Sequence, residues 1–257
     1  VVRGSNPTLN SLRYAEEAVN KTCSYKGISL KTLLLLALTF LSAVTSVMLR
    51  GAGMEGAWGE AGVYWGIDNI VLLLLIGFAA FIAALLSTLI PRLAVVFAPV
   101  YAVCEGFIIG FISSLFEGVY SGVVFAALVS TVITFAVIVI MHRFEIFRAT
   151  SRFRQIVYSV LITLSIVQFF FVMVSFFYGE VFFDFTEYFW LQLIVSAFFI
   201  LLASSCILID LQNIEDYVGY GISRKYEWVA ALGIEVSLIW LYLQFLRLFA
   251  LISSRKN

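Results

Sequence analysis

An all-α integral membrane fold, a bundle of seven transmembrane helices, is predicted by three observations. Apolar residues make up 62% of the 257-residue chain and charged residues 12%, where a soluble domain carries about 45–50% and about 25%. The mean hydropathy is +1.03. The apolar residues gather into seven runs, each near the roughly 20 residues that a helix needs to cross a bilayer.

The runs fall at 32–49, 69–90, 93–115, 119–141, 155–178, 188–209 and 228–252. The first starts at Thr32, behind a polar stretch with no signal peptide, and so serves as the insertion signal. Residues 1–30 are predicted to form a cytoplasmic amphipathic segment, and 31–257 the transmembrane domain. The stretch NPTLNSLRYAEEAVNKT is expected to lie on the membrane surface, with partner binding as the competing role. A Gly-rich connection, Arg50–Asp68, leads to the second run. Pro91 and Pro99 flank the start of the third, and a basic loop, His142–Arg154, separates the fourth from the fifth. An acidic loop, GEVFFDFTE, precedes the sixth; the turn GYGISRK (Gly219–Lys225) joins the sixth to the seventh.

Lys and Arg in loops set orientation. Twelve of the 16 lie in the N-terminal segment and the even-numbered loops, and three (Arg50, Arg255 and Lys256) lie on the other side. This predicts a multi-pass protein of the cell (cytoplasmic) membrane, with its N-terminus inside and its C-terminus outside. The net charge is zero, which gives no field for nucleic acid. Cys23, Cys104 and Cys206 are dispersed without metal-ligand spacing. No lysine lies between Lys31 and Lys225, which leaves a retinal Schiff base without an amine. The single histidine, His142, and the lack of HExxH, GxGD, P-loop and dinucleotide strings argue against an enzyme and against a cofactor.

A charge inside a span costs about 2.5–3.5 kcal/mol or more on insertion scales, which makes each one a candidate site. Four stand out: Glu105, Asp210, Glu235 and Arg247. Glu105 precedes a GxxxG face (Gly106, Gly110); it is either a neutral acid bonded across helices or part of a polar path. Asp210 ends the sixth apolar run, as a boundary residue or as a sensor. Glu235 stands seven residues past Trp228, about 10 Å into the last helix. Asp210 and Glu235 are equidistant from the turn, so regular helices bring them to similar heights, although rotation is not readable from spacing. A carboxylate pair at low dielectric shares a proton, and when deprotonated it attracts a hard cation such as calcium through its oxygens. Arg247 either snorkels outward or pairs with an acid of the bundle.

SNPTLNSL, YAVCEGFIIGFISSLFEGVYSGVV, ILIDLQNIED and KYEWVAALGIEVSLIWLYLQFLRLF resemble the YccA-like bacterial branch of the Bax inhibitor (TMBIM) family. The resemblance covers nearly the whole chain. It implies a fold whose last helix is surrounded by the other six, and a pH-sensitive calcium leak governed by one acid at the end of span six and another in span seven. Asp210 matches the first position. The second falls on Ser237 when aligned back from Arg247, and at or beside Glu235 when anchored on KYEW. Residues 235 and 237 point about 200° apart on a helix.

The function expected is a passive, proton-gated calcium (cation) leak with Asp210, Glu235 and Glu105 on its path. A proton-coupled exchanger and a non-transporting regulator of other membrane proteins are the competing readings. The unbroken spans disfavour an exchanger built from inverted repeats.

Overall fold

The computed structural model describes residues 22–51, 67–146, 148–178 and 189–255. These form seven helices: α1 (Tyr25–Gly51), α2 (Ile67–Leu89), α3 (Ala94–Val119), α4 (Val123–Arg143), α5 (Ser151–Tyr178), α6 (Phe189–Gly219) and α7 (Tyr226–Ser254). All seven are long and apolar enough to cross a membrane. Among the described residues the sole β pairing is an isolated bridge, Thr22 with Ser223. The protein is an all-α, seven-span membrane protein. The head up to Lys21, expected to lie on the membrane surface, falls outside the described residues, as do the acidic loop and most of the Gly-rich connection.

Each predicted run is found as a helix, and two helices extend well past their apolar runs. α1 begins at Tyr25, because Ser24 caps it: the Ser24 Oγ accepts from the Gly27 N–H at 3.0 Å. The first six residues of α1 therefore belong to what the composition assigned to the head. α6 continues ten residues beyond the apolar run, to Gly219. Leu211, Ile214 and Val218 sustain an apolar stripe at helical spacing, with Ile214 buried. Asp210 consequently lies inside a 31-residue helix, not at its end.

The chain folds as two compact units. The first takes the chain up to Phe111 together with Asn213–Glu235: α1, α2, most of α3, the last turns of α6 and the first turns of α7. Its helices approach closely at two glycines of α3. A Cβ on Gly106 would stand 2.8 Å from the Thr39 Cα, and one on Gly110 2.7 Å from the Ala43 Cα. Both contacts are with α1 backbone, so this is the packing face that the GxxxG spacing predicts.

The second unit comprises Ile112–Gln212 and Val236–Asn257. Here the Ser113 and Tyr242 hydroxyls join α3 to α7 at 2.7 Å, and Phe199 of α6 meets Trp240 of α7 edge-on. The Arg255 guanidinium lies over the rings of Phe189 and Trp190 at the start of α6. α7 is the most buried helix, with 56% of its apolar window inside against 33% or less for every other.

Candidate functional site

Two intramembrane carboxylates, both on helices with long apolar faces, define the site residues. In the second unit, Asp210 of α6 is half-buried and accepts a hydrogen bond from the Ser237 Oγ of α7 at 2.6 Å. Ser237 is itself buried, 7% exposed. The bond supplies one strong donor to a group that would otherwise meet apolar neighbours such as Ile207 and Ile209.

In the first unit, Glu235 of α7 is wholly buried. Its Oε1 lies 2.5 Å from the Thr39 Oγ1 of α1. Its Oε2 has no hydrogen-bond partner among the described residues. Thr39 is also buried, and its hydroxyl lies 3.0 Å from the Leu35 carbonyl one turn earlier. Among the described residues, Glu105 and Tyr101 of α3 also lie in this neighbourhood, and both interact electrostatically with Glu235. Tyr101 is buried, and Glu105 is half-buried. On the α1 side of the crossing, the Ser42 hydroxyl donates to the Val103 carbonyl at 2.6 Å.

Asp210 therefore meets Ser237, one of the two positions that the resemblance indicated, and Glu235 meets Thr39. The two residues of α7 are separated by about 200° of rotation, so they serve different neighbours. Arg247 is exposed on α7 and makes no ion pair among the described residues.

A second wholly buried acid stands outside the four charges singled out in the spans. Glu227, in the first turn of α7, is fully buried. Its Oε1 accepts from the Ser24 N–H at 3.0 Å and the Ser24 hydroxyl at 3.2 Å. Its Oε2 accepts from the Lys31 ammonium and pairs with the Arg224 Nε at 3.6 Å. Lys31 also lies over the Trp228 ring. Beside this clasp the Cys23 N–H donates to the Ile222 carbonyl at 2.7 Å, and the Cys23 thiol to the Ser223 carbonyl at 3.2 Å. The chain ahead of α1 is thus pinned to the α6–α7 turn. Gly27 is needed there: a Cβ would reach to 2.6 Å from the Glu227 Cδ. The only sequence hint was the coincidence of a Lys at the head of one helix and a Glu at the head of another, which distance in sequence concealed.

Seven membrane-length helices carrying buried acids define a polytopic membrane protein with ionisable groups inside its spans. A family model described as Bax inhibitor 1 like matches residues 6–254. The chain belongs to the Bax inhibitor 1-like family. No curated protein matches it.

Proposed function

We propose that the protein is a pH-sensitive passive leak for calcium, gated by protonation of its intramembrane carboxylates, and that it carries out no catalysis. The observation that carries this reading is that Asp210 and Glu235 both sit inside spans with hydroxyl partners and, among the described residues, no ion pair. A carboxylate without a cationic partner in a low-dielectric setting changes charge by gaining or losing a proton. Ionised, it offers hard oxygen ligands to calcium; neutral, it does not. Each acid has one hydroxyl at hand, far short of the 6–8 oxygens calcium takes, so water must complete the shell. That suits an ion in passage better than one in residence. Protons and calcium are then the solutes and the bilayer the setting, with no cofactor and no nucleic acid. Glu105 would line the same path. The family supports the reading, since calcium leak is what the resemblance implied, and SNPTLNSL favours its YccA-like bacterial branch. The basic loops favour an N-terminus inside the cell membrane and a C-terminus outside.

The test is calcium flux into liposomes carrying the purified protein, across acidic to neutral pH. Asp210→Asn and Glu235→Gln are each expected to flatten the pH dependence. Flux against a calcium gradient when a proton gradient is imposed would replace the leak with an exchanger. No flux at any pH would replace it with a regulator that acts by binding other membrane proteins.

A further inference from the structure

The Thr39 hydroxyl has one proton and two claimants. Its oxygen is 3.0 Å from the Leu35 carbonyl and 2.5 Å from the Glu235 Oε1. A hydroxyl donates once and accepts through its lone pairs. If Thr39 donates to Leu35, the short contact with Glu235 needs its hydrogen from the acid. If Glu235 is ionised, it has no hydrogen to give, and Thr39 must abandon Leu35 to serve it.

We propose that Thr39 is the proton-positioning residue of Glu235: a relay from the Glu235 O–H to the Thr39 oxygen, and from the Thr39 O–H to the Leu35 carbonyl, holds the acid neutral and reverses when it ionises. Two features of the site favour the neutral arm in the geometry observed. Both Thr39 contacts are satisfied at once only when the acid supplies a proton. The Glu235 Oε2 is buried without a donor among the described residues, a heavy cost for a charged oxygen and a lighter one for a neutral acid's oxygen.

Reversal is cheap on the α1 side. The Leu35 carbonyl sits at the i−4 position of an α-helix and keeps the backbone N–H of Thr39 when the hydroxyl turns away. On ionisation the Glu235 O–H bond breaks, the proton leaves to water, and the Thr39 hydroxyl rotates to the carboxylate. The groups facing Glu235 from the packed helices are Thr39 on α1 and Tyr101 and Glu105 on α3.

The crossing gives the switch a mechanical address. Gly106 packs against the backbone of Thr39 itself, so the residue whose hydroxyl turns is also the one on which α3 rests. The proposal deepens the leak reading by naming the group that governs Glu235, but its test is spectroscopic and does not need flux.

The experiment is infrared difference spectroscopy of the full chain in lipid nanodiscs, stepped from mildly acidic to mildly alkaline pH. Wild type should show a protonated-carboxyl carbonyl band in acid that Glu235→Gln lacks. Thr39→Val removes the hydroxyl but keeps the shape, and should move that band to higher frequency; Thr39→Ser should return it. Thr39→Ala replaces Val if the latter fails to fold. No carboxyl band assignable to Glu235 in acid, or a band unmoved by removing the Thr39 hydroxyl, overturns the relay. Parallel flux assays separate the two ideas: a wild type with the band and no flux retains the switch and loses the leak.

Discussion

Ser237 donates a hydrogen bond to Asp210, and the worth of that bond can be measured. A hydrogen bond to a charged or buried partner contributes about 1.5–3 kcal/mol, since its loss leaves the partner unsatisfied. Ser237→Ala should lower unfolding stability in detergent by about that amount, as read from chemical denaturation. Ser237→Asp makes a sharper test, because it sets a carboxylate against Asp210 at the place where the hydroxyl stands, 2.6 Å away. Such a pair shares a proton in acid and repels itself when both members ionise. The variant should melt higher in acid than at neutral pH by a margin that the wild type lacks; equal margins would mean that Ser237 does not face Asp210. Height along the helices was legible in the sequence, because residues on either side of a short turn keep register. Rotation was not. Whether residue 235 or 237 meets Asp210 depends on how α7 rolls against all its neighbours, and no local pattern encodes that.

At the scale of an element, the contact between α1 and α3 rests on the absence of two side chains. Gly106→Ala or Gly110→Ala would drive a methyl into backbone that cannot move aside as a side chain could. Overpacking of this kind costs about 1–3 kcal/mol, to be read from thermal unfolding. Gly118 in the same helix has open space around its would-be Cβ. Gly118→Ala should be neutral or slightly stabilising, since Ala is the better helix former by about 1 kcal/mol. A similar loss in all three would show that close approach to α1 does not set the cost at Gly106 and Gly110. The spacing of Gly106 and Gly110 announced a packing face. What it packs against, and that Thr39 lies at the crossing, came only from the fold. The helix ends were less legible for a plain reason: the apolar runs of α1 and α6 give way to amphipathic turns that still bury one stripe.

At the scale of the whole molecule, the clasp around Glu227 ties the start of α1 to the α6–α7 turn. Truncating one member of a buried ion pair leaves the other unpaired, at about 3–5 kcal/mol; Lys31 keeps some access to water, so Lys31→Met or Glu227→Gln should cost near the lower figure in denaturant titration. Cys23 reports the same event. Burial, and next the Glu227 charge, push its thiol above the ordinary 9.0, while Lys31 pulls the other way. A folded value above the unfolded one means a contribution that is intact below pH 9.0 and lost as the pH climbs through the folded value. Maleimide labelling of Cys23 should therefore be slow at neutral pH and speed up in Glu227→Gln, where the repelling charge is gone and the clasp is open. Unchanged labelling would separate the thiol from the clasp. None of this could be read from the sequence, in which Lys31 and Glu227 are 196 residues apart.

The bridge from Thr22 to Ser223 also constrains how the chain is threaded. Two points in contact at a membrane face belong to the same compartment, so the six helices between them must cross an even number of times, which six full crossings satisfy and five would not. A compartment-sensitive reporter fused ahead of Thr22 should then give the same signal as one spliced into the α6–α7 turn, and a third placed after Arg255, beyond one further crossing, should give the opposite signal.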